Sequence, residues 1–107
     1  MRPSNPLLPA ALALWAGAAV AAPPERVVSM NLCTDQLAML LAAPGQLLSV
    51  SHLSLDPLSS AMVKEARAYP INRGGAEQIF LMRPDLVLAG TFTARASVDL
   101  LKGLGIE

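Results

Sequence analysis

The stretch Ala76-Glu-Gln-Ile-Phe-Leu-Met-Arg-Pro-Asp-Leu-Val-Leu-Ala89 decides the fold. Ala76 to Met82 reads as a short helix, stopped before Pro84, which has no N–H to continue the helical ladder. Asp85-Leu-Val-Leu-Ala89 is the clearest strand in the chain: a short apolar run between turn signals, suited to a sheet covered on both faces. Gly90-Thr-Phe-Thr93 turns out of it, with Thr93 as the expected helix cap. Ala94 to Leu104 then repeats Val98, Leu101 and Leu104 at helical spacing.

Upstream, the same alternation recurs. Val27-Val-Ser-Met30 reads as a buried strand and Asn31-Leu-Cys33 as a turn, with Thr34 at the N-cap of a helix carrying Leu37, Leu40 and Leu41. Pro44 and Gly45 end that helix. Leu47 to Ser51 is the second strand and His52 to Asp56 a loop. Pro57 opens a helix to about Ala68, Tyr69-Pro70 breaks it, and Ile71 to Gly75 is a flexible connection. Strands alternating with helices at this interval predict an α/β fold, a small parallel sheet flanked by helices.

Composition narrows the class. The chain has 107 residues, 53% hydrophobic and 15% charged, with zero formal net charge, so neither a disordered linker nor a nucleic-acid-binding domain fits. One cysteine and one histidine cannot close a structural Cys/His zinc site or form an internal disulfide.

The first residues read as an export signal. Arg2 is followed by an uncharged apolar run from Leu7 to Val20, and Ala19-Val-Ala21 gives the small-x-small pattern of a cleavage site. A helix of that run would span about 21 Å against a hydrocarbon core of about 30 Å. The expected organisation is a signal peptide at 1–21 and one domain at 22–107, delivered to the periplasm. Leu104-Gly-Ile-Glu107 reads as a helix end, a capping glycine and the first residues of a further strand, so the domain is expected to be the front part of a longer protein.

In an open parallel sheet the ligand site lies beyond the carboxyl ends of the strands. Three loops qualify: Asn31–Thr34, His52–Asp56 and Gly90–Thr93. Their small polar residues suit holding a ligand more than transforming it. An alternative reading makes Cys33 the nucleophile of a small secreted hydrolase, with His52 as base and Asp56 orienting it. Gly74-Gly75 lacks the surroundings of a phosphate loop. Asp85 reads as a solvated strand entrance, and Met30, Met39, Met62 and Met82 as core filling.

Four segments together carry a family resemblance: Arg26-Val-Val-Ser-Met-Asn-Leu-Cys-Thr-Asp-Gln-Leu37, Gly45-Gln-Leu-Leu-Ser-Val-Ser51, Ala76 to Ala89, and Leu101-Lys-Gly-Leu-Gly-Ile106. Over residues 25–107 the chain resembles the N-terminal, Rossmann-like lobe of class III substrate-binding proteins of ABC importers, the cobalamin and ferric-siderophore group. The resemblance implies two α/β lobes joined by a rigid helix, with a metal chelate held in the cleft between them. It also implies delivery to an inner-membrane permease by a monomer without cofactor, catalysis or nucleic-acid partner. The ligand wall it implies comprises Asn31, Leu32, Cys33, Thr34, His52, Leu53, Ile71, Arg73, Gly90, Thr91 and Phe92. Glu77 corresponds to the family's permease-docking glutamate. Where cobalamin binders of the group place aromatic side chains, this chain has Leu53, Ile71 and Gly90, with Phe92 and Tyr69 the nearby rings.

Overall fold

A computed structural model describes residues 2–4 and 21–107. The elements run β1 (Val27–Ser29), α1 (Leu32–Leu41), β2 (Leu47–Ser51), a 3₁₀ turn (His52–Leu55), α2 (Val63–Ala66), β3 (Ile71–Asn72), α3 (Ala76–Leu81), β4 (Leu86–Leu88) and α4 (Arg95–Gly103). The strands form one parallel sheet in the order β3-β2-β1-β4. The α/β class and the helix-flanked parallel sheet expected from the sequence are therefore present.

The order has a physical origin. From β1 the chain adds β2 and β3 outward in one direction, then returns past β1 to lay β4 on its other side. Right-handed crossovers put helices formed before and after that reversal on opposite faces. Accordingly, Ala38 of α1 and Ala66 of α2 pack with Val27, Leu47 and Val50 on one face. Ala76 and Ile79 of α3 and Leu101 of α4 pack with Val28 and Met30 on the other. The register shifts between Val27 and Val28 where β1 meets β2, and this irregularity lets Leu47 and Val50 enter the same cluster. Burying a side chain such as Ile79 or Val28 is worth about 1.5–3 kcal/mol.

Several local expectations are corrected. The N-cap of α1 is Asn31, not Thr34: Asn31 Oδ1 accepts from the N–H groups of Cys33 (2.9 Å) and Thr34 (3.5 Å). The Thr34 hydroxyl instead turns inward, 2.7 Å from Ser29 Oγ. The helix expected from Pro57 to Ala68 shrinks to Val63–Ala66. Asp56 caps a single turn, accepting from Leu58 N–H and Ser59 Oγ–H, but Ser60 Oγ takes the Met62 N–H, a donor that a continuing helix would use. Ile71 to Gly75 is not simply a flexible connection, since Ile71 and Asn72 pair with Val50 and Ser51. The Thr93 hydroxyl accepts from Gly90 N–H at 2.7 Å and closes a turn rather than capping α4, whose cap position is Ala94.

At the opposite edge of the sheet, Asp85 is exposed but engaged. Its carboxylate accepts from the N–H groups of Glu25 (2.9 Å) and Arg26 (3.0 Å), which holds its pKa below the ordinary 3.8 and fastens the start of β4 to that of β1. Arg26 also closes the end of α3, donating to the carbonyls of Arg83 and Met82 at 2.9 and 2.7 Å. Arg83 adopts φ 52°, a left-handed helix end imposed on a non-glycine residue. The Val87 N–H on the outer edge of β4 donates to the carbonyl of Glu107 at 2.8 Å.

The signal-peptide reading of 1–21 falls almost wholly outside the described residues. Among the described residues, no helix is long and apolar enough to cross a membrane.

Candidate functional site

All four strands point their carboxyl ends the same way, and the loops leaving them surround one open recess of about 300 Å³. The end of β1 supplies Met30 and Asn31, and the end of β2 Ser51, His52 and Leu53. Arg73 and Gly74 follow β3, while Phe92, Thr93 and Ala94 follow β4. The reversal of strand order between β1 and β4 lies beside this recess, at the place where parallel sheets leave a crevice.

Of the residues assigned to a ligand wall from sequence, the fold brings Asn31, His52, Leu53, Arg73 and Phe92 to the recess. The others lie elsewhere. Leu32, Cys33 and Thr34 form the first turn of α1, where Cys33 is exposed and Thr34 faces Ser29. Ile71 packs against the core cluster beneath α1 and α2. Gly90 and Thr91 border a smaller neighbouring hollow with Arg95 and Lys102. Thr93, part of the candidate loop Gly90–Thr93, also lines the recess, whereas sequence reasoning missed Met30, Ser51, Gly74 and Ala94. Met30 directly follows β1 and Ser51 ends β2, positions where the pattern signals burial and gives no sign of a cavity floor.

Behind the recess lies a connected set of buried polar groups. Asn72, fully buried at the end of β3, donates to Ser29 O (2.8 Å) and Ser49 Oγ (3.0 Å) and accepts from Gly74 N–H (3.1 Å). It thus joins three strands and fixes the turn that presents Arg73, a turn in which Gly74 takes φ 75°. Asp35, also fully buried, accepts from Ser51 N–H (3.0 Å), Ser51 Oγ–H (2.5 Å) and Ser54 Oγ–H (2.7 Å). Asn31 Nδ2 reaches Thr93 Oγ1 at 3.3 Å, tying the loops after β1 and β4 together. No buried side-chain polar atom among the described residues lacks a partner, so the loops are held before any ligand arrives.

The lining has a definite chemical sense. Arg73 and His52 bring nitrogen donors, Asn31, Ser51 and Thr93 bring an amide and hydroxyls, and no carboxylate takes part. Met30, Leu53 and Phe92 add apolar surface, and the Phe92 ring stands 97% exposed at the rim. Such a surface suits a solute with electron-rich oxygens and an apolar or π-bearing body. No group of three or more His, Cys, Asp or Glu among the described residues could hold a bare metal ion. His52, the one histidine of the chain, can offer at most a single nitrogen to a metal carried by another chelator.

Cys33, His52 and Asp56 are joined by no hydrogen bond among the described residues; the Asp56 carboxylate is occupied by Leu58 N–H (2.9 Å) and the Ser59 hydroxyl (2.7 Å), which lower its pKa. Glu77 stands exposed in the first turn of α3, on a segment distinct from the recess lining.

Comparison of the chain with protein-family models, with curated proteins and with solved structures gives no significant match in any of the three.

Proposed function

We propose that this chain is the first, Rossmann-like lobe of a periplasmic solute receptor, exported by a cleaved signal peptide at 1–21. It captures a metal chelate (cobalamin, a ferric siderophore or a haem-like compound) without catalysis and delivers it to an ABC permease. The observation that carries the reading is the convergence of all four strand-end loops on one open recess free of carboxylates. Arg73 and His52 meet the electron-rich oxygens of the chelate, Asn31 and Thr93 orient it, and Leu53 and Phe92 cover its apolar body. The recess is open, so it acts as one wall of a cleft, and a second lobe supplies the other. Glu77, exposed on α3, meets a basic residue of the permease, where opposite charges steer docking and still permit release.

The test is titration of the full chain with hemin, aquocobalamin and a ferric trihydroxamate, followed by the absorbance of each chelate. Saturable binding of one of the three, weakened at least several-fold in His52→Ala and Arg73→Ala, is expected. Absence of saturable binding for all three, or binding indifferent to both substitutions, overturns the proposal.

A further inference from the structure

We infer that Asp35 is a positioning residue for the solute wall: through Ser51 and Ser54 it locks the 3₁₀ turn that presents His52 and Leu53. The inference deepens the proposed function and rests on it for the ligand's class.

Asp35 is a carboxylate in the first turn of α1, fully buried, with no ion pair to a cation among the described residues. Removing a charge from water is costly unless hydrogen bonds replace the lost hydration. Here three donors do so: the Ser51 N–H and Oγ–H at the end of β2 and the Ser54 Oγ–H within the turn. Ala38, three residues on, meets the apolar core with a methyl group, whereas Asp35 meets Ser51 and Ser54. All three donors belong to Ser51 and Ser54, which bracket His52 and Leu53, the residues of this segment that line the recess. Ser54 is as buried as Asp35, while His52 and Leu53 are exposed. The turn is therefore clamped from beneath at both sides of the two side chains it offers.

The neighbouring residue on α1 supplies a control. Gln36 Oε1 accepts from Ala61 N–H at 2.9 Å and holds the far end of the same segment, away from the recess. A purely structural role for α1 would make the two attachments equivalent.

Because the chain has one histidine, the His52 ring gives a single unambiguous NMR signal. In the full chain, Ser54→Ala and Asp35→Asn are each expected to shift and broaden that signal. Amide exchange at Leu55 and Asp56 should accelerate about ten- to a hundredfold, the worth of one charge-assisted hydrogen bond, while Val28 and Ile79 signals stay in place. The one bond that Ser54→Ala removes is among those that Asp35→Asn weakens, so the double variant should add little to Asp35→Asn, and Gln36→Ala should leave the His52 signal unmoved. Ser54→Ala spares the two bonds from Ser51 and so tests the idea even if Asp35→Asn folds poorly. An unchanged His52 signal in Ser54→Ala, or an equal change in Gln36→Ala, overturns the inference. These readouts need no ligand, so they are independent of the chelate titration. With hemin as probe, Ser54→Ala should weaken binding to the same degree as His52→Ala. Failure of hemin to bind the unaltered chain would count against haem-like ligands, while the His52 signal would still decide the role of Asp35.

Discussion

Replacing Asn72 with alanine tests whether the buried polar set holds the carboxyl edge of the sheet together. The side chain makes three hydrogen bonds: to Ser29 O at 2.8 Å, to Ser49 Oγ at 3.0 Å, and from Gly74 N–H at 3.1 Å. Each is worth about 0.5–1.5 kcal/mol net, and stranded buried partners raise the cost, so the variant should lose about 3 kcal/mol. A domain of this size gives up about 4–8 °C in Tm for each kcal/mol, which places the fall at roughly 12–24 °C. Urea unfolding followed by far-UV circular dichroism measures the loss directly. Asn72→Asp sharpens the test. It keeps the acceptor for Gly74 but sets a carboxylate against the Ser29 carbonyl, so it should be as harmful at neutral pH and recover partly as acid restores a donor. A loss below about 1 kcal/mol in Asn72→Ala, or no recovery of Asn72→Asp in acid, would refute the reasoning.

Gly90→Ala places a Cβ 2.7 Å from Asn31 Nδ2 and 3.2 Å from Thr93 Oγ1, a clash with the side chain that caps α1. It should cost about 1–3 kcal/mol and weaken chelate binding, as read by thermal melting and titration. Glu77→Lys should leave chelate affinity unchanged and lower permease-dependent uptake in cells; unaltered uptake removes the docking role. Asp85 has a folded pKa below its ordinary 3.8, lowered by the N–H groups of Glu25 and Arg26, so its contribution is complete above that value and fades as the pH falls through the folded pKa. Asp85→Asn should therefore lower stability at neutral pH, and the gap from the unaltered chain should narrow in an acid titration below pH 3.8.

The legible part of the fold was set by strong local signals. Val27-Val28 and Leu86-Val87-Leu88 are short apolar runs between breakers, and Gly45 and Gly105 take the positive φ that their positions after helices suggested. What escaped was decided by side-chain competition. Asn31 outcompetes Thr34 as a cap because it stands one place before the helix, and Ser60 interrupts the helix expected from Pro57 by taking the Met62 N–H. β3 is two residues long, too short for any period to show. Of the site, the loops at strand ends could be foreseen, since a parallel sheet sends them all to one edge. Which side chains turn into the recess could not, because Leu32 and Cys33 follow the rotation of α1 while His52 follows a 3₁₀ turn anchored by Asp35. Buried serines in strands leave no hydropathy signature, and Ser29, Ser49 and Ser51 became meaningful only once Asn72 and Asp35 were seen beside them.

A second depression on the molecule affects how any chelate experiment is carried out. Between α1 and the β1–β4 half of the sheet runs an oily trough lined by Val27, Leu37, Leu41, Leu86 and Leu88, with Leu41 80% exposed. Porphyrins and reporter dyes partition onto such surfaces with little regard for shape. Hemin added to this chain therefore meets a greasy sink besides the proposed strand-end site, and only binding at the latter should respond to Arg73. Placing a glutamate at Leu41 closes the greasy sink without touching the strand-end loops, and a Soret change that survives there is the one to interpret.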